Sequence, residues 1–318
     1  MPNEATNKLT DPAESSGRDE SQPRRNGNGV STTYCLHAED VPWSALGPGV
    51  EMRIVHADAS TGRWSAFVHM HAGSRLIPHR HIGASEFVVM EGTGVHPQAG
   101  AFRPGDYAWE SAGAVHSEVN ADHKIMLFMV SHGSSEFLKK DGSPWFTSDA
   151  AYFERLRNTS SVLRWLKRFL LIRVWRLLRR RSRLDAATGE ATGNVTASEG
   201  SGVNIVNAHA VPWLPIYDDV EARRLHVDPE LQTSTMQIRV APAASLTTFD
   251  HRSTSEMIVL DGSGTTDSGQ VFRAGDYCRN DAGEGARTLS TEEGFTIVWF
   301  GHQNVKFRSP DGGTVLPQ

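Results

Sequence analysis

His79, Arg80 and His81, followed by Glu86 and, further along, by His116, are residue types that hold a transition metal. Residues two apart in an extended strand point to one face, so His79 and His81 would present two imidazoles to a common interior. Glu86 and His116 would complete a cage of three nitrogens and one oxygen. Such donors suit divalent iron, manganese, nickel, copper and zinc, so the set specifies a metal site without selecting the metal. Four protein ligands around a six-coordinate ion leave two positions open for a bound molecule, whereas a closed site would only brace the fold. Tyr107, Trp109 and Glu110 stand shortly before His116 and are candidates for the pocket wall or for contacts to the ligands. Strand alternation sends part of that run inward and the rest outward.

The elements that must position these groups are strands. "EMRIVHAD", "WSAFVHM", "SEFVVMEG" and "HKIMLFMVS" are short, rich in β-branched and aromatic residues and separated by Gly, Asp and Pro turns, the rhythm of an all-β sandwich or barrel. The same rhythm returns later in the chain. A shift of 170 positions superposes Val41-Pro42-Trp43 on Val211-Pro212-Trp213, Glu86 on Glu256, Gly92 on Gly262 and Gly105-Asp106-Tyr107 on Gly275-Asp276-Tyr277, without a gap up to His132 and His302. Two copies of one module follow, which fits a chain of 318 residues at about 150 per domain.

The copies differ where the chemistry would be. His81 and Glu86 keep counterparts in His251 and Glu256, but His79 becomes Phe249 and His116 becomes Ala286. Two ligands hold a metal far more weakly than four, so the second copy is expected to be a metal-free structural copy or a pocket for something else. Arg287, beside the lost histidine, reads as a solvated loop arginine.

"GSRLIPHRHIGASEFVVMEG" and "FRPGDYAWESAGAVHSEVN" resemble the two signature motifs of the cupins. The gap from Glu86 to Gly92 is one residue shorter than the usual pattern, and Ser111 stands where the second motif usually has proline. More narrowly, "PHRHIGASEFVVMEG" with "PGDY" and "AGAVH" is similar to the branch holding the 2,4'-dihydroxyacetophenone dioxygenases and the cupin domain of the ChrR anti-sigma factors. The resemblance implies an all-β chain of two double-stranded β-helix, jelly-roll-like domains, a bicupin. The expected layout is a disordered tail over 1–32, a metal-binding domain over 33–147, a helical segment and linker over 148–202, and a second domain over 203–318.

The joining segment is unlike either half. "SVLRWLKRFLLIRVWRLLRRRSRL", from Ser161 to Leu184, has no Gly or Pro and carries Arg164, Lys167, Arg168, Arg173, Arg176, Arg179, Arg180, Arg181 and Arg183. At helical pitch Leu163, Leu166, Leu170, Val174, Leu177 and Leu178 share a face, so a basic amphipathic helix is expected. It is too charged to span a bilayer. Packing on the barrels, lying on an anionic membrane surface with Trp165 and Trp175 at the interface, and binding a partner compete as its use.

A net charge of −5 argues against a surface adapted to nucleic acid. The chain has two cysteines, Cys35 and Cys278, which the repeat does not relate. Too few for a disulfide framework, they point to a reducing cytoplasm, with the basic segment allowing peripheral membrane attachment. Residues 1–29 contain no apolar run that would serve as a secretory signal. His69 and His71 read as surface or satisfied strand histidines, the paired His56/His226 and His132/His302 as packing or hydrogen-bonding groups, and His96 and His123 carry no hypothesis.

The resemblance implies an iron(II) dioxygenase that chelates a small diketone or hydroxyketone and cleaves a carbon–carbon bond. Two other classes remain open: a non-enzymatic sensory bicupin that binds a small molecule, and a metal-dependent isomerase or decarboxylase. Homo-oligomers are compatible with each.

Overall fold

The computed structural model describes residues 34–117, 119–139, 141–159, 163, 166, 169–171, 173, 202–249, 254–282, 286–309 and 311–315. Residues 1–33, the expected tail over 1–32 among them, and 174–201 lie outside this set. Two β-barrels related by the 170-residue repeat pack against each other. In the first, Tyr107–Glu110, Ser85–Glu91, Ile125–Ser131, Trp64–Met70 and Val50–Ala57 are successive neighbours in one sheet. Val115–His116, His79–His81, Ser135–Leu138 and Pro144–Ser148 form a second, smaller sheet. The turn after Ser85–Glu91 needs glycine. Gly92 has φ +84°, and a Cβ there would lie 2.0 Å from the Lys124 carbonyl oxygen; its counterpart Gly262, at φ +77°, would meet the Gly294 oxygen at 2.1 Å.

Each copy lends its first strand to the other. Tyr34–Leu36 pairs antiparallel with Tyr277–Asn280 of the second barrel, and Val203–Val206 pairs with Tyr107–Glu110 of the first. The two exchanges are equivalent under the repeat, and each covers a sheet edge that would otherwise expose unpaired backbone groups. In the first exchange Cys35 lies directly opposite Cys278, and the two form a disulfide. Two cysteines, too few for a framework, thus still make one disulfide, and the argument from them to a reducing cytoplasm is corrected. Their spacing in sequence hid the pairing because an exchanged strand, not a loop, brings them together. Disulfides persist under oxidising conditions, so scarcity of cysteine no longer supports a reducing compartment.

Alternation along the strands divides the apolar residues between two cores. Phe87, Val89 and Ala108 point into the first barrel with Met52, Ile54, Val68 and Ile125. A helix, Ala150–Arg157, closes that barrel, with Asp149 accepting from the Tyr152 N–H as N-cap and the Phe153 ring tilted against Trp64 at 4.3 Å. Val88, Tyr107, Trp109 and Phe128 point the other way and meet Ile258, Tyr277, Val298 and Phe300 of the second barrel. Each large side chain buried between the barrels contributes roughly 1.5–3 kcal/mol, so the two are held as one body.

Two carboxylates are buried in that interface. Glu86 accepts from the Tyr107 hydroxyl (2.9 Å), from His132 Nε2 (2.9 Å) and from the Thr235 hydroxyl of the other barrel. Glu256 mirrors it, accepting from Tyr277 (3.0 Å), from Arg63 Nε (2.5 Å) and from the Ser65 hydroxyl across the interface. Arg63 also donates to His132 Nδ1 at 3.1 Å, which links the two carboxylates through one chain of polar groups. Burial would raise Glu86, but the bonds from His132 and Thr235 and the charge of Arg63 hold it below its ordinary range. Glu256 is likewise held well below its range, against the effect of burial, chiefly by Arg63.

Leu163, Leu166, Phe169 and Leu170 of the joining segment are helical and exposed, and Arg173 lies over the Phe169 ring at 5.3 Å. Arg164, Lys167, Arg168, Arg176, Arg179, Arg180, Arg181 and Arg183 lie outside the described residues. No helix among the described residues is long and apolar enough to cross a membrane.

Two outcomes follow from the interface. Reducing the disulfide, or Cys35→Ser, should cost about 2–4 kcal/mol of stability, and an unfolding midpoint unchanged by reductant would contradict the link between exchanged strand and second barrel. Glu86→Ala strands buried donors and should cost about 3–5 kcal/mol in chemical unfolding; a loss under about 1 kcal/mol would contradict its role. Both carboxyls are depressed in the folded state. Their contribution is present above the unfolded carboxylate range and lost as pH falls through the folded values, so acidification should destabilise the wild type more steeply than Glu86→Gln.

Candidate metal centre

His79 and His81 lie on one short strand, and His116 lies opposite His79 on its antiparallel neighbour. Their ring centroids form a near-equilateral triangle, 5.0 Å from His79 to His81, 4.7 Å from His79 to His116 and 4.8 Å from His81 to His116. All three are buried, with a nitrogen from each within 4.8 Å of the others. The rings are fixed from behind: His79 Nδ1 meets the Ile77 carbonyl at 3.1 Å, His81 Nδ1 meets the Ser85 and Ser135 hydroxyls, and His116 Nδ1 meets His96 Nε2 at 2.9 Å. Holding Nδ1 this way sets the tautomer and leaves Nε2 for a ligand.

Burial, with the charge of neighbouring imidazoles, takes His79 down to about 4 and His116 to about 2, while burial alone takes His81 to about 4. The three are neutral at physiological pH, the form that ligates a metal. His81 Nε2 and His116 Nε2 are buried and make no hydrogen bond. Each lies close to one oxygen of Glu110, at 3.4 Å from Oε2 and 3.5 Å from Oε1 respectively. Orphaned, convergent, neutral nitrogens beside a carboxylate fit a divalent cation.

Glu110 is therefore the carboxylate of this cluster, and Glu86 is not among it. The cause is register. Glu110 lies opposite Ser85, and Trp109 opposite Glu86, so Ser85 and Glu110 share the barrel interior while Glu86 and Trp109 share the interface. Restoring the one residue missing from the spacing before Gly92 lands on Ser85, whose hydroxyl donates to Glu110 Oε2 at 2.5 Å. Burial raises Glu110 above its ordinary range, against the opposing effects of Ser85, His79 and His96.

Of the three residues expected near the ligands, only Glu110 joins them. Tyr107 donates to Glu86, and Trp109 stacks on His226 of the other barrel at 4.1 Å. His96, to which the sequence assigned no role, lies with Glu110 and His116 in a second grouping of donors. The repeat held a signal for these positions. Glu110 becomes Asn280 and His96 becomes Thr266 in the second copy, lost together with His79 and His116, while Glu86, His56 and His132 all persist. The residues that vanish together belong to the histidine cluster, of which only His81 keeps a counterpart, His251, while Glu86, His56 and His132 serve the interface.

In the second copy His251 lies outside the described residues, as does the side chain of Phe249, and Ala286 is exposed. Arg287 is buried, 3.7 Å from Asp267, not a solvated loop arginine as expected. Among the described residues, groupings of three ligand types occur only in the first barrel.

A family model for the ChrR cupin-like domain matches residues 31–136 and again 201–306. The acetylacetone-cleaving enzyme of Acinetobacter johnsonii is 28% identical over 100 residues, which cover 30% of this chain and 65% of that enzyme. The match thus spans less than two-thirds of the relative. A deletion mutant of oxalate decarboxylase from Bacillus subtilis has a TM-score of 0.53 at 10% identity over 89% of this chain and 79% of its own. Vicilin from Capsicum annuum has a TM-score of 0.52 at 15% identity, over 87% of this chain and 88% of its own. At such identities these likenesses concern the fold alone, and function must be argued from the site. The family model matches two copies that together span more than half of the sequence, so the chain belongs to the ChrR cupin-like domain family, as a bicupin.

Proposed function

We propose that the first barrel is a metal-dependent oxidoreductase, an iron(II) dioxygenase that cleaves a carbon–carbon bond in a small diketone or hydroxyketone. The observation that carries this reading is the convergence of two orphaned imidazole nitrogens and a raised carboxyl in one buried site. His79, His81 and His116 would hold the metal through Nε2, with Glu110 beside it. The partial likeness to an acetylacetone-cleaving enzyme supports the substrate class. Iron(II) held there would polarise two substrate oxygens and provide electrons to dioxygen.

The remaining work falls to the chain. A β-diketone loses a proton as it binds in its enolate form, and Glu110 is placed to take it. A carboxyl raised by burial is a better proton acceptor than an ordinary one, and Ser85 holds Oε2 so that Oε1 faces His116. His96 orients His116, and its Nε2 accepts from His116 Nδ1–H when His116 Nε2 is used as a ligand. Phe137, stacked on His79 at 5.5 Å, keeps that side of the cluster dry.

The test is oxygen uptake by anaerobically iron-loaded protein, with a panel of β-diketones and hydroxyketones. Uptake matched by substrate loss is expected. Glu110→Gln should retain iron and slow turnover by about 10²–10⁴-fold, while His79→Ala with His81→Ala should abolish iron retention. Iron-loaded protein that takes up no oxygen with any member of the panel would replace the enzyme by a ligand-binding bicupin.

We also infer that residues 161–184 attach the protein reversibly to anionic membrane surfaces. Exposed Leu163, Leu166 and Leu170 along one helical stripe, beside nine cations, support this use over packing on the barrels. Each cation near an anionic leaflet contributes about 1 kcal/mol. Vesicle flotation should show binding to anionic lipid that weakens with salt and declines when Arg179, Arg180 and Arg181 become glutamine. Equal flotation on neutral lipid, or no change in that variant, would return the segment to packing.

A further inference from the structure

Outside the histidine cluster, the first barrel carries a second convergence of ligand types on its other face. Glu51 and His69 lie opposite each other on neighbouring strands, and His71 follows two residues on. His71 Nε2 is 3.0 Å from Glu51 Oε2, and His69 Nδ1 is 3.9 Å from the same oxygen. The two imidazole centroids are 4.2 Å apart. Donor atoms around a tetrahedral zinc lie about 3.3 Å from one another, so these separations bracket what a shared ion needs. His69 Nε2 is buried without a hydrogen bond. The Glu51 side chain is 2% exposed and His71 31%, so the carboxylate is sheltered and the site is reached past His71.

The second copy serves as an internal control. Glu51 corresponds to Glu221, Trp43 to Trp213, Arg53 to Arg223, His69 to Arg239 and His71 to Ala241. There, Arg239 pairs with Glu221, and both Arg223 and Arg239 lie over Trp213, at 4.5 and 4.7 Å. The first copy keeps Arg53 over Trp43 at 4.5 Å and places His69 against the same ring at 5.6 Å. One fixed positive charge on the partly exposed Glu221 has been exchanged for a pair of imidazoles beside the buried Glu51 at the equivalent position. A guanidinium on a carboxylate is complete in itself, whereas two imidazoles and a carboxylate are a ligand set, and a bound dication restores the charge the guanidinium supplied.

We propose that Glu51, His69 and His71 form a second metal site, taking a borderline divalent ion such as zinc with water in the remaining position. It is independent of the histidine cluster, on the opposite side of the first barrel's sheet. The cluster faces the interior, whereas Glu51 and His69 alternate with the core residues Val50, Met52, Val68 and Met70.

The probe is zinc, counted by elemental analysis and titrated calorimetrically on the full chain. Wild type should bind two ions, and His69→Arg with His71→Ala, which copies the second barrel, should bind one. Because the second barrel already folds with Arg239 and Ala241, that variant should unfold like wild type. His71→Ala alone, at a half-exposed position, should weaken one of the two binding events by at least about tenfold and leave the other untouched. The reciprocal variant, His79→Ala with His81→Ala, should also bind one ion, the one that His71→Ala weakens. Equal zinc stoichiometry and affinity in wild type and in both variants at positions 69 and 71 would overturn the proposal, whatever the histidine cluster does.

Discussion

The period of two in a β-strand is the constraint on which this molecule rests. Ser85–Glu91 and Tyr107–Glu110 are paired neighbours whose odd and even positions serve different purposes. Ser85, Phe87, Ala108 and Glu110 build the interior of one barrel and the wall of its histidine cluster. Glu86, Val88, Tyr107 and Trp109 build the seam with the other barrel. A shift of one residue in either strand would exchange these sets, burying an interface carboxylate in the cluster and exposing the cluster's own. The geometry of the histidine cluster and the assembly of two barrels are therefore one structural decision.

That coupling explains why both copies are retained although only one carries the full histidine set. The second barrel supplies the Thr235 hydroxyl to Glu86, receives Arg63 and Ser65 on Glu256, and takes the first strand of the chain as its own. A barrel without the full histidine set is still needed as the wall against which the strands bearing Glu86 and Tyr107 pack. Divergence of the histidine set between the two copies, with a shared seam, is what such a division of labour leaves in the sequence.

Much of this was legible beforehand. The repeat, the all-β fold, the double-barrel layout and the three histidines followed from spacing and from the cupin-like motifs. Glu86 was misplaced because a motif counts residues while a strand counts parity, and the one-residue departure before Gly92 was the visible sign. Glu110 was named only among neighbours of the ligands, and His96 not at all, because a turn separates it from the strand that it serves. Cys35 and Cys278 defeated spacing arguments for a topological reason: strand exchange joins the chain's first strand to its last barrel. The persistence of Glu256 beside the replacement of His79 by Phe249 and of His116 by Ala286 is the trace that this parity leaves in the repeat.

The proposed metal site lies among His79, His81 and His116 with Glu110 at its side. Crystals of the iron-loaded chain, with anomalous differences collected on both sides of the iron absorption edge, locate the ion. An iron peak is expected inside the first barrel within bonding distance of the three Nε2 atoms, with Glu86 still bonded to Tyr107 and Thr235. An iron peak coordinated by Glu86, or one inside the second barrel, would contradict it.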